Sequence, residues 1–235
     1  MKHAIAMHGW CSDSNFWLHW KKNFQLNGWN WENAERGYGN RKASMPIWLD
    51  YEKQKNHYQR VVFCHSLGIH LISSQILNDA TEIVLLNSFS NFISTNRESR
   101  ALKVALHGMK TQLGTKNERN MLLSFLEKTN RPHKFPDLLP GPLQQELSSQ
   151  GRKRLQFDLE LLINSSGLPI GIPTTARVLV IDGEKDEIIL SGTKNDLIKN
   201  LKKHLLAPPC HWTIKGEGHS IHLPKTIASV RAWLE

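Results

Sequence analysis

A serine follows a buried apolar run in the stretch FCHSLGIH, which spans Phe63–His70. Ser66 lies between a histidine and a leucine, and Gly68 follows two residues later. A sharp turn from a strand into a helix would expose this serine above the carboxyl edge of a parallel sheet, where its hydroxyl can act as a nucleophile. The position two residues before the serine holds Cys64 where a glycine is usual. A serine that only caps a helix would have the same local sequence pattern. Other segments of the chain are therefore needed to distinguish a nucleophile from a helix cap.

Two further polar residues complete a set that can perform acyl transfer. Asp186 follows the apolar run ARVLVIDG, and His219 follows CHWTIKG within the segment GEGHSIH. A serine hydroxyl is a weak nucleophile until an imidazole accepts its proton, and a carboxylate holds that imidazole in the required tautomer. The chain order Ser66, Asp186, His219 is the order found in hydrolases built on an α/β sheet. We therefore predict that these three residues form a catalytic triad.

Two backbone N–H groups are expected to face the oxygen of a tetrahedral intermediate. One belongs to Trp10, in the segment His8-Gly9-Trp10 that follows the first apolar run, and the other belongs to Leu67, directly after the serine. Such a pair of donors forms an oxyanion hole. We also expect the Trp10 side chain to line the acyl pocket.

Other histidines lie near the same strand ends as His219. They are His65, His211 and His222. None of them has the glycine-flanked position of His219, so we interpret them as surface residues or as core residues with satisfied hydrogen bonds.

An alternative acid and two alternative nucleophiles remain. Asp182 could replace Asp186, although its place directly before Gly183 favours a bond to the loop backbone. Cys64 and Cys11 are thiols near the serine and the oxyanion loop, and we expect both to be buried packing residues.

Short apolar runs alternate with segments of helical spacing along the chain. The runs KHAIAMH, YQRVVFCHS, TEIVLLNSF, ARVLVIDG and CHWTIKG predict buried strands, and NGWNWENAERGYGN has extended and turn character. Helical spacing is found in NFWLHWKKNFQ, around Trp48 and Leu49, in GIHLISSQILND and in KTIASVRAWLE. Alternation of this kind predicts an α/β fold, with a mostly parallel sheet and helices on both faces.

The strand signals stop between Asn91 and Gly171, where helical pieces are separated by Gly and Pro. We predict an inserted helical lid there. Residues 91–171 are called the lid segment below, and residues 1–90 and 172–235 are expected to form the hydrolase core. The lid is also basic, because twelve Lys or Arg and five Asp or Glu lie between Arg97 and Arg154, which is +7 of the net charge of +9.

Composition excludes several other classes of protein. The chain has 235 residues, of which 40% are hydrophobic and 22% charged, and no apolar run approaches the roughly 20 residues that span a bilayer. Cys11, Cys64 and Cys210 lack CxxC spacing, which argues against a disulfide framework or a zinc site. We expect a cytoplasmic protein without a signal peptide, membrane association, metal or cofactor. Nucleic acid is disfavoured, because the basic residues are not interleaved with aromatic residues on a recognisable binding fold.

Four segments carry a resemblance to a known family. HGW followed by a helix, CHSLG, GEKDEII and GEGHSIHLP resemble the α/β-hydrolase superfamily along nearly the whole chain. The HGW loop and the lid resemble BioH-type esterases, which demethylate the pimeloyl-acyl carrier protein methyl ester in biotin synthesis. The resemblance implies a serine carboxylesterase with a compact sheet of about six strands.

The same resemblance implies a role for basic lid residues. LGTKNER resembles a segment whose arginine contacts the carrier protein, which implies that role for Arg119, with Lys116 adjacent. Arg152, Lys153 and Arg154 are further candidates from position and charge. Carrier proteins are acidic, so a basic lid would raise the encounter rate. A lysine-rich surface that is only solvated is the alternative interpretation.

Two other functions stay open. A generic carboxylesterase or thioesterase would use the same triad on small acyl substrates without a carrier protein. A noncatalytic, anion-binding relative would use the basic lid and leave the triad idle.

Overall fold

A computed structural model describes residues 2–49, 58–94, 99–134, 141–143 and 147–235, and a sheet of six strands lies at its centre. The strands are β1 (Lys2–Met7), β2 (Asn30–Asn33), β3 (Gln59–His65), β4 (Glu82–Leu86), β5 (Arg177–Gly183) and β6 (Cys210–Ile214). Their spatial order is β2-β1-β3-β4-β5-β6, and each neighbouring pair is parallel. The predicted α/β class and parallel sheet are confirmed.

The sheet has a topological switch point between β1 and β3. From β1 the chain passes to β2 on one side, and from β3 onward it adds strands on the other side. In open α/β sheets, ligands bind at the carboxyl edge beside such a switch point.

Helices cover both faces of the sheet because alternate strand residues on each face are apolar. The helices are α1 (Leu18–Leu26), α2 (Gly68–Leu71), α3 (Ser74–Asn78), α4 (Ser99–Gln112), α5 (Glu118–Asn130), α6 (Ser149–Asn164), α7 (Ser191–His204) and α8 (Pro224–Leu234). Val61 and Phe63 of β3 pack into a cluster with side chains from α1 and α8. Val62 and Cys64 face the opposite cluster, which includes side chains from α3 and α7. This two-sided burial is typical of a parallel strand.

Two helical predictions differ from the structure. The segment GIHLISSQILND is split into α2 and α3, because Ile72 and Ser73 are extended and the Ser73 hydroxyl accepts a bond from the Ile76 N–H to begin α3. Trp48 and Leu49 were expected to be helical, but neither lies in a helix. Trp48 instead packs edge-on against His3, and its indole donates to the Ile76 carbonyl at 3.0 Å. These tertiary contacts outweigh the local helical spacing, and residues 50–57 lie outside the described residues.

Helices α4, α5 and α6 lie between β4 and β5, within the lid segment. Residues 95–98, 135–140 and 144–146 of that segment lie outside the described residues. Helix α6 is attached to the core by the fully buried Asp158, which receives two hydrogen bonds of 2.6 Å from Arg36 and one of 2.7 Å from the Tyr38 hydroxyl. Within the part of the chain that is described, no helix is long and apolar enough to cross a membrane.

Candidate active site

Ser66 occupies a strained turn between β3 and α2. Its φ is +54°, in the left-handed region that a residue with a side chain rarely adopts. The turn is close-packed, because a Cβ added at Gly68 would lie 2.5 Å from the Met7 carbonyl oxygen. A Cβ added at Gly9 would lie 2.9 Å from the Cβ of Ser66 itself. Glycine is therefore required at both positions, and this close approach places the loop after β1 directly against the serine.

Cys64 replaces the usual glycine without disturbing this turn. The side chain is fully buried on the face of the sheet that packs against α3 and α7. Burial raises the pKa of the Cys64 thiol, and it does the same for Cys11. A buried thiol with a raised pKa is a poor nucleophile at neutral pH, so neither cysteine competes with the Ser66 hydroxyl as a candidate nucleophile.

Asp186 and His219 form a buried hydrogen-bonded pair beside the serine turn. The Nδ1–H of His219 donates to Oδ2 of Asp186 at 3.0 Å, and neither side chain is more than 2% exposed. The other carboxylate oxygen accepts the N–H groups of Ile188 at 2.7 Å and Ile189 at 3.2 Å. Burial alone would raise the pKa of Asp186, but His219 and the backbone donors outweigh it and hold the pKa below its usual value. The carboxylate therefore stays ionised and fixes Nε2 as the free nitrogen of His219.

Asp182 is engaged elsewhere. Its Oδ2 accepts a bond of 2.8 Å from Nε2 of His211, on the neighbouring strand β6. Burial raises the pKa of Asp182, although Lys194 and His211 partly oppose that shift. The two aspartates therefore serve two different histidines.

The remaining histidines near the site have other roles. Nε2 of His65 donates to the carbonyl of His219 at 3.0 Å, and its ring stacks on Phe16 at 4.1 Å. Burial is the main reason that the pKa of His65 lies well below the usual range, so its ring is neutral. Burial also lowers the pKa of His222 to about 4.

Ser66 and His219 line one cavity of about 380 Å³. Aromatic side chains of Trp10, Phe16 and Phe125 contribute to its wall. The Trp10 indole donates to the Leu155 carbonyl at 2.9 Å, and its ring packs edge-on against Phe125 at 5.0 Å. Trp10 thus joins the loop after β1 to helices α5 and α6 of the lid segment.

The two predicted oxyanion donors belong to residues at or next to the serine turn. Leu67 is the residue that precedes α2, and Trp10 follows the glycine that contacts Ser66. Helix α2 has only four residues, so its dipole contributes less than a long helix would. Stabilisation of an oxyanion here would depend on the two N–H groups themselves.

The five basic lid residues predicted to bind a carrier protein differ in whether their side chains are bonded within the protein or exposed. Arg152 makes a bidentate pair with Glu118, with distances of 2.7 and 2.9 Å, and Arg154 donates to the Gly37 carbonyl at 3.0 Å. Both of these arginines support the fold. The side chains of Lys116, Arg119 and Lys153 are exposed.

Two polar residues that contact the site are not among the residues predicted from the sequence. Asn87 and Ser88 follow β4, and both are fully buried. Their position in the sequence could have indicated a role at the site. In TEIVLLNSF they form a polar pair at the end of an apolar run, just as Ser66 follows the apolar run of β3. Among the described residues, no group of three or more His, Cys, Asp or Glu could hold a metal ion.

Comparisons with known proteins agree with this architecture. The sequence matches no family model and no curated protein. An esterase from Exiguobacterium antarcticum has a similar structure, with a TM-score of 0.68 and 17% identity over 100% of this chain and 92% of that chain. A bromoperoxidase from Bacillus anthracis matches with a TM-score of 0.65 and 14% identity, over 99% of this chain and 91% of that chain. A thermophilic esterase from Thermogutta terrifontis matches with a TM-score of 0.60 and 12% identity, over 100% and 89% of the two chains. The chain has the α/β-hydrolase fold.

The partly buried His222 predicts acid sensitivity of the fold. Its pKa falls from 6.5 to about 4 on folding, so between these values the unfolded chain binds a proton that the folded protein does not. The free energy of unfolding should therefore fall as the pH is lowered through this window, by about 2 to 3 kcal/mol between pH 7 and pH 4.5 for this one group. Urea unfolding at the two pH values should show a smaller loss in His222→Gln than in the wild type. His107→Gln, at an exposed position on α4, should behave like the wild type, and an equal loss in all three proteins would contradict the assignment.

Proposed function

We propose that the protein is a serine carboxylesterase. The observation that carries the proposal is the buried Asp186–His219 pair, whose histidine lines the same cavity as the strained Ser66 turn. A buried carboxylate that orients an imidazole next to a serine in the left-handed region is the arrangement that nucleophilic acyl transfer requires.

The reaction proceeds in two halves. Oγ of Ser66 attacks the ester carbonyl while Nε2 of His219 accepts the hydroxyl proton. The N–H groups of Trp10 and Leu67 stabilise the oxyanion, and Asp186 stabilises the imidazolium without taking the proton. Collapse of the intermediate breaks the ester C–O bond, and the alcohol leaves with the proton from His219. Water then attacks the acyl-enzyme through the same base, releasing the acid and restoring the Ser66 hydroxyl, and no cofactor takes part.

An apolar groove favours a substrate with an acyl chain. The groove has a volume of about 970 Å³, and Leu102, Met109 and Met121 of helices α4 and α5 contribute to its lining. Phe125 lines both this groove and the cavity at Ser66. A substrate whose carbonyl lies at Ser66 could therefore extend its apolar portion past Phe125, where burial of each CH₂ group would contribute about 0.8 kcal/mol.

The favoured substrate within this class is the methyl ester of pimeloyl-acyl carrier protein. Support comes from the motif resemblance and from the exposed lid cations Lys116, Arg119 and Lys153, which suit an acidic carrier. Complementation of a biotin auxotroph that lacks its pimeloyl ester esterase tests this substrate directly. Growth supports it, whereas failure to grow together with hydrolysis of short nitrophenyl esters would identify a generic carboxylesterase or thioesterase. Absence of hydrolysis of every ester would favour the noncatalytic, anion-binding relative.

Arg119→Glu tests the proposed carrier surface. Because Arg119 is exposed, we expect the KM for a carrier-linked ester to rise about 3- to 10-fold, while a small soluble ester is hydrolysed at the wild-type rate. Added salt should reduce this difference, because exposed charges more than about 8 Å apart are largely screened at physiological ionic strength. Steady-state kinetics on both substrates at two salt concentrations provide the measurement.

Lys22→Glu is the matched control, since Lys22 is an exposed cation on α1, outside the lid segment. It changes the net charge by the same amount and should leave both substrates unaffected. Equal losses on both substrates in Arg119→Glu would assign Arg119 to the structure of the lid. No loss on either would identify the basic lid as a solvated surface.

A further inference from the structure

The dipeptide Asn87-Ser88 contacts the backbone of every loop that carries a triad residue. The Asn87 amide group donates to the carbonyls of Gly218 at 3.0 Å and His219 at 2.8 Å. Its amide oxygen accepts the Gly183 N–H at 2.8 Å. Both N–H donors of the Asn87 amide and one of the two lone pairs on its oxygen are therefore hydrogen-bonded, and the side chain is fully buried.

Gly183 links Asn87 to the acid. Gly183 is the last residue of β5, and its carbonyl accepts the Asp186 N–H at 3.3 Å. A Cβ added at Gly183 would lie 2.0 Å from the Gly218 carbonyl oxygen, so the loops carrying Asp186 and His219 are in direct contact. The Asn87 side chain bonds to both loops at this contact.

Ser88 provides the third connection. Its hydroxyl donates to the carbonyl of Ser66 at 2.7 Å, and its side chain is fully buried. Asn87 itself has a φ of +42°, a conformation that Asn tolerates better than most residues with a side chain. The turn after β4 therefore brings two consecutive polar side chains into contact with these loops, Ser88 with the loop of the nucleophile and Asn87 with the loops of the base and the acid.

We propose that Asn87 and Ser88 are positioning residues that set the relative geometry of Ser66, His219 and Asp186; this inference rests on the proposed function. Neither side chain is assigned a contact with substrate. They act through the backbone carbonyls and N–H groups of the loops, which determine where the serine hydroxyl and the imidazole lie. A displacement of about 1 Å between reacting groups can cost about 100-fold in rate.

Asn87→Gly separates this role from backbone strain. Glycine adopts positive φ without steric cost, so the variant can keep the conformation of the turn while it removes the amide. We expect kcat on a short nitrophenyl ester to fall about 10- to 100-fold while KM stays within about twofold. Asn87→Asp keeps the shape but places a carboxylate against two carbonyls, and it should lose at least as much. Ser88→Ala should show a loss of the same kind.

Ser90→Ala is the matched control. Ser90 is fully buried in the same turn region, and its hydroxyl accepts a bond of 2.9 Å from Asn200 rather than from a triad loop. We expect normal kcat for this variant per folded molecule, with the folded fraction measured by circular dichroism at the assay temperature. Normal kcat per folded molecule in Asn87→Gly and Ser88→Ala as well would overturn the proposal, because a merely structural role lowers the folded fraction and not the rate.

A spectroscopic readout is independent of turnover. The Nδ1 proton of His219, bonded to Asp186, should give a low-field proton resonance that is identified by its loss in Asp186→Ala. It should persist in Ser90→Ala and be lost or shifted in Asn87→Gly. If the wild type hydrolyses no ester yet the resonance depends on Asn87, the proposed function fails and the positioning role stands. If the wild type is active and Asn87→Gly keeps both its kcat and its resonance, the positioning role is overturned.

Discussion

Ser66→Ala should fold normally and lose at least about 1,000-fold in turnover on any ester that the wild type hydrolyses. The removed hydroxyl is the atom that forms the acyl-enzyme, and the oxyanion donors alone can support only residual hydrolysis by water. Alanine is close in size to serine, so the close approach of Gly9 and Gly68 to the turn is preserved. Initial rates with a short nitrophenyl ester, together with thermal unfolding, provide the measurement.

Cys64→Ala is the control for this experiment. It removes the thiol nearest to the nucleophile along the chain, on the buried side of β3. We expect lower stability and retained turnover, because the pKa of the thiol is raised by burial and the thiol takes no part in the reaction. If Ser66→Ala remains near the wild-type rate while Cys64→Ala is inactive, the nucleophile has been assigned to the wrong residue.

Asp186→Asn should keep the fold and lower kcat by roughly 100- to 10,000-fold. The reason lies in the two N–H groups of Ile188 and Ile189, which donate to Oδ1 of Asp186. In the variant the amide oxygen satisfies these donors, which turns the amide NH₂ toward His219. The imidazole must then accept at Nδ1 and carry its proton on Nε2, where it cannot act as a base toward Ser66.

Two further variants complete the comparison. His219→Ala should be as damaging as Ser66→Ala, because the two residues act as one unit. Asp182→Asn is the matched control for the acid, since Asp182 is a buried aspartate that pairs with His211. It should affect stability more than kcat. A larger loss of kcat in Asp182→Asn than in Asp186→Asn would show that the acid is Asp182.

The prediction of the fold succeeded where apolar runs were short and flanked by turn residues. Strands such as β3 and β4 are buried on both faces of the sheet. Their apolar runs are therefore unbroken, and this pattern predicts a strand from the sequence. The helix predicted around Trp48 was wrong because that residue finds its partners in His3 and Ile76, which are distant in sequence. Helical spacing alone could not distinguish these tertiary contacts from helix packing.

The sequence by itself determined the α/β class and the types and order of the residues that could do chemistry. Short apolar runs that form strands, and the polar residues at their ends, are local features of the chain. Such features can be recognised from the sequence alone. The tertiary structure decided which aspartate pairs with which histidine, because Asp182 and Asp186 differ by four positions but face β6 and the His219 loop respectively. It also decided that Arg152 and Arg154 are bonded internally and that Asn87 and Ser88 contact the loops of the predicted triad. These relations depend on contacts between residues more than 20 positions apart in the chain, and only the packing of the loops at the carboxyl edge of the sheet brings them together.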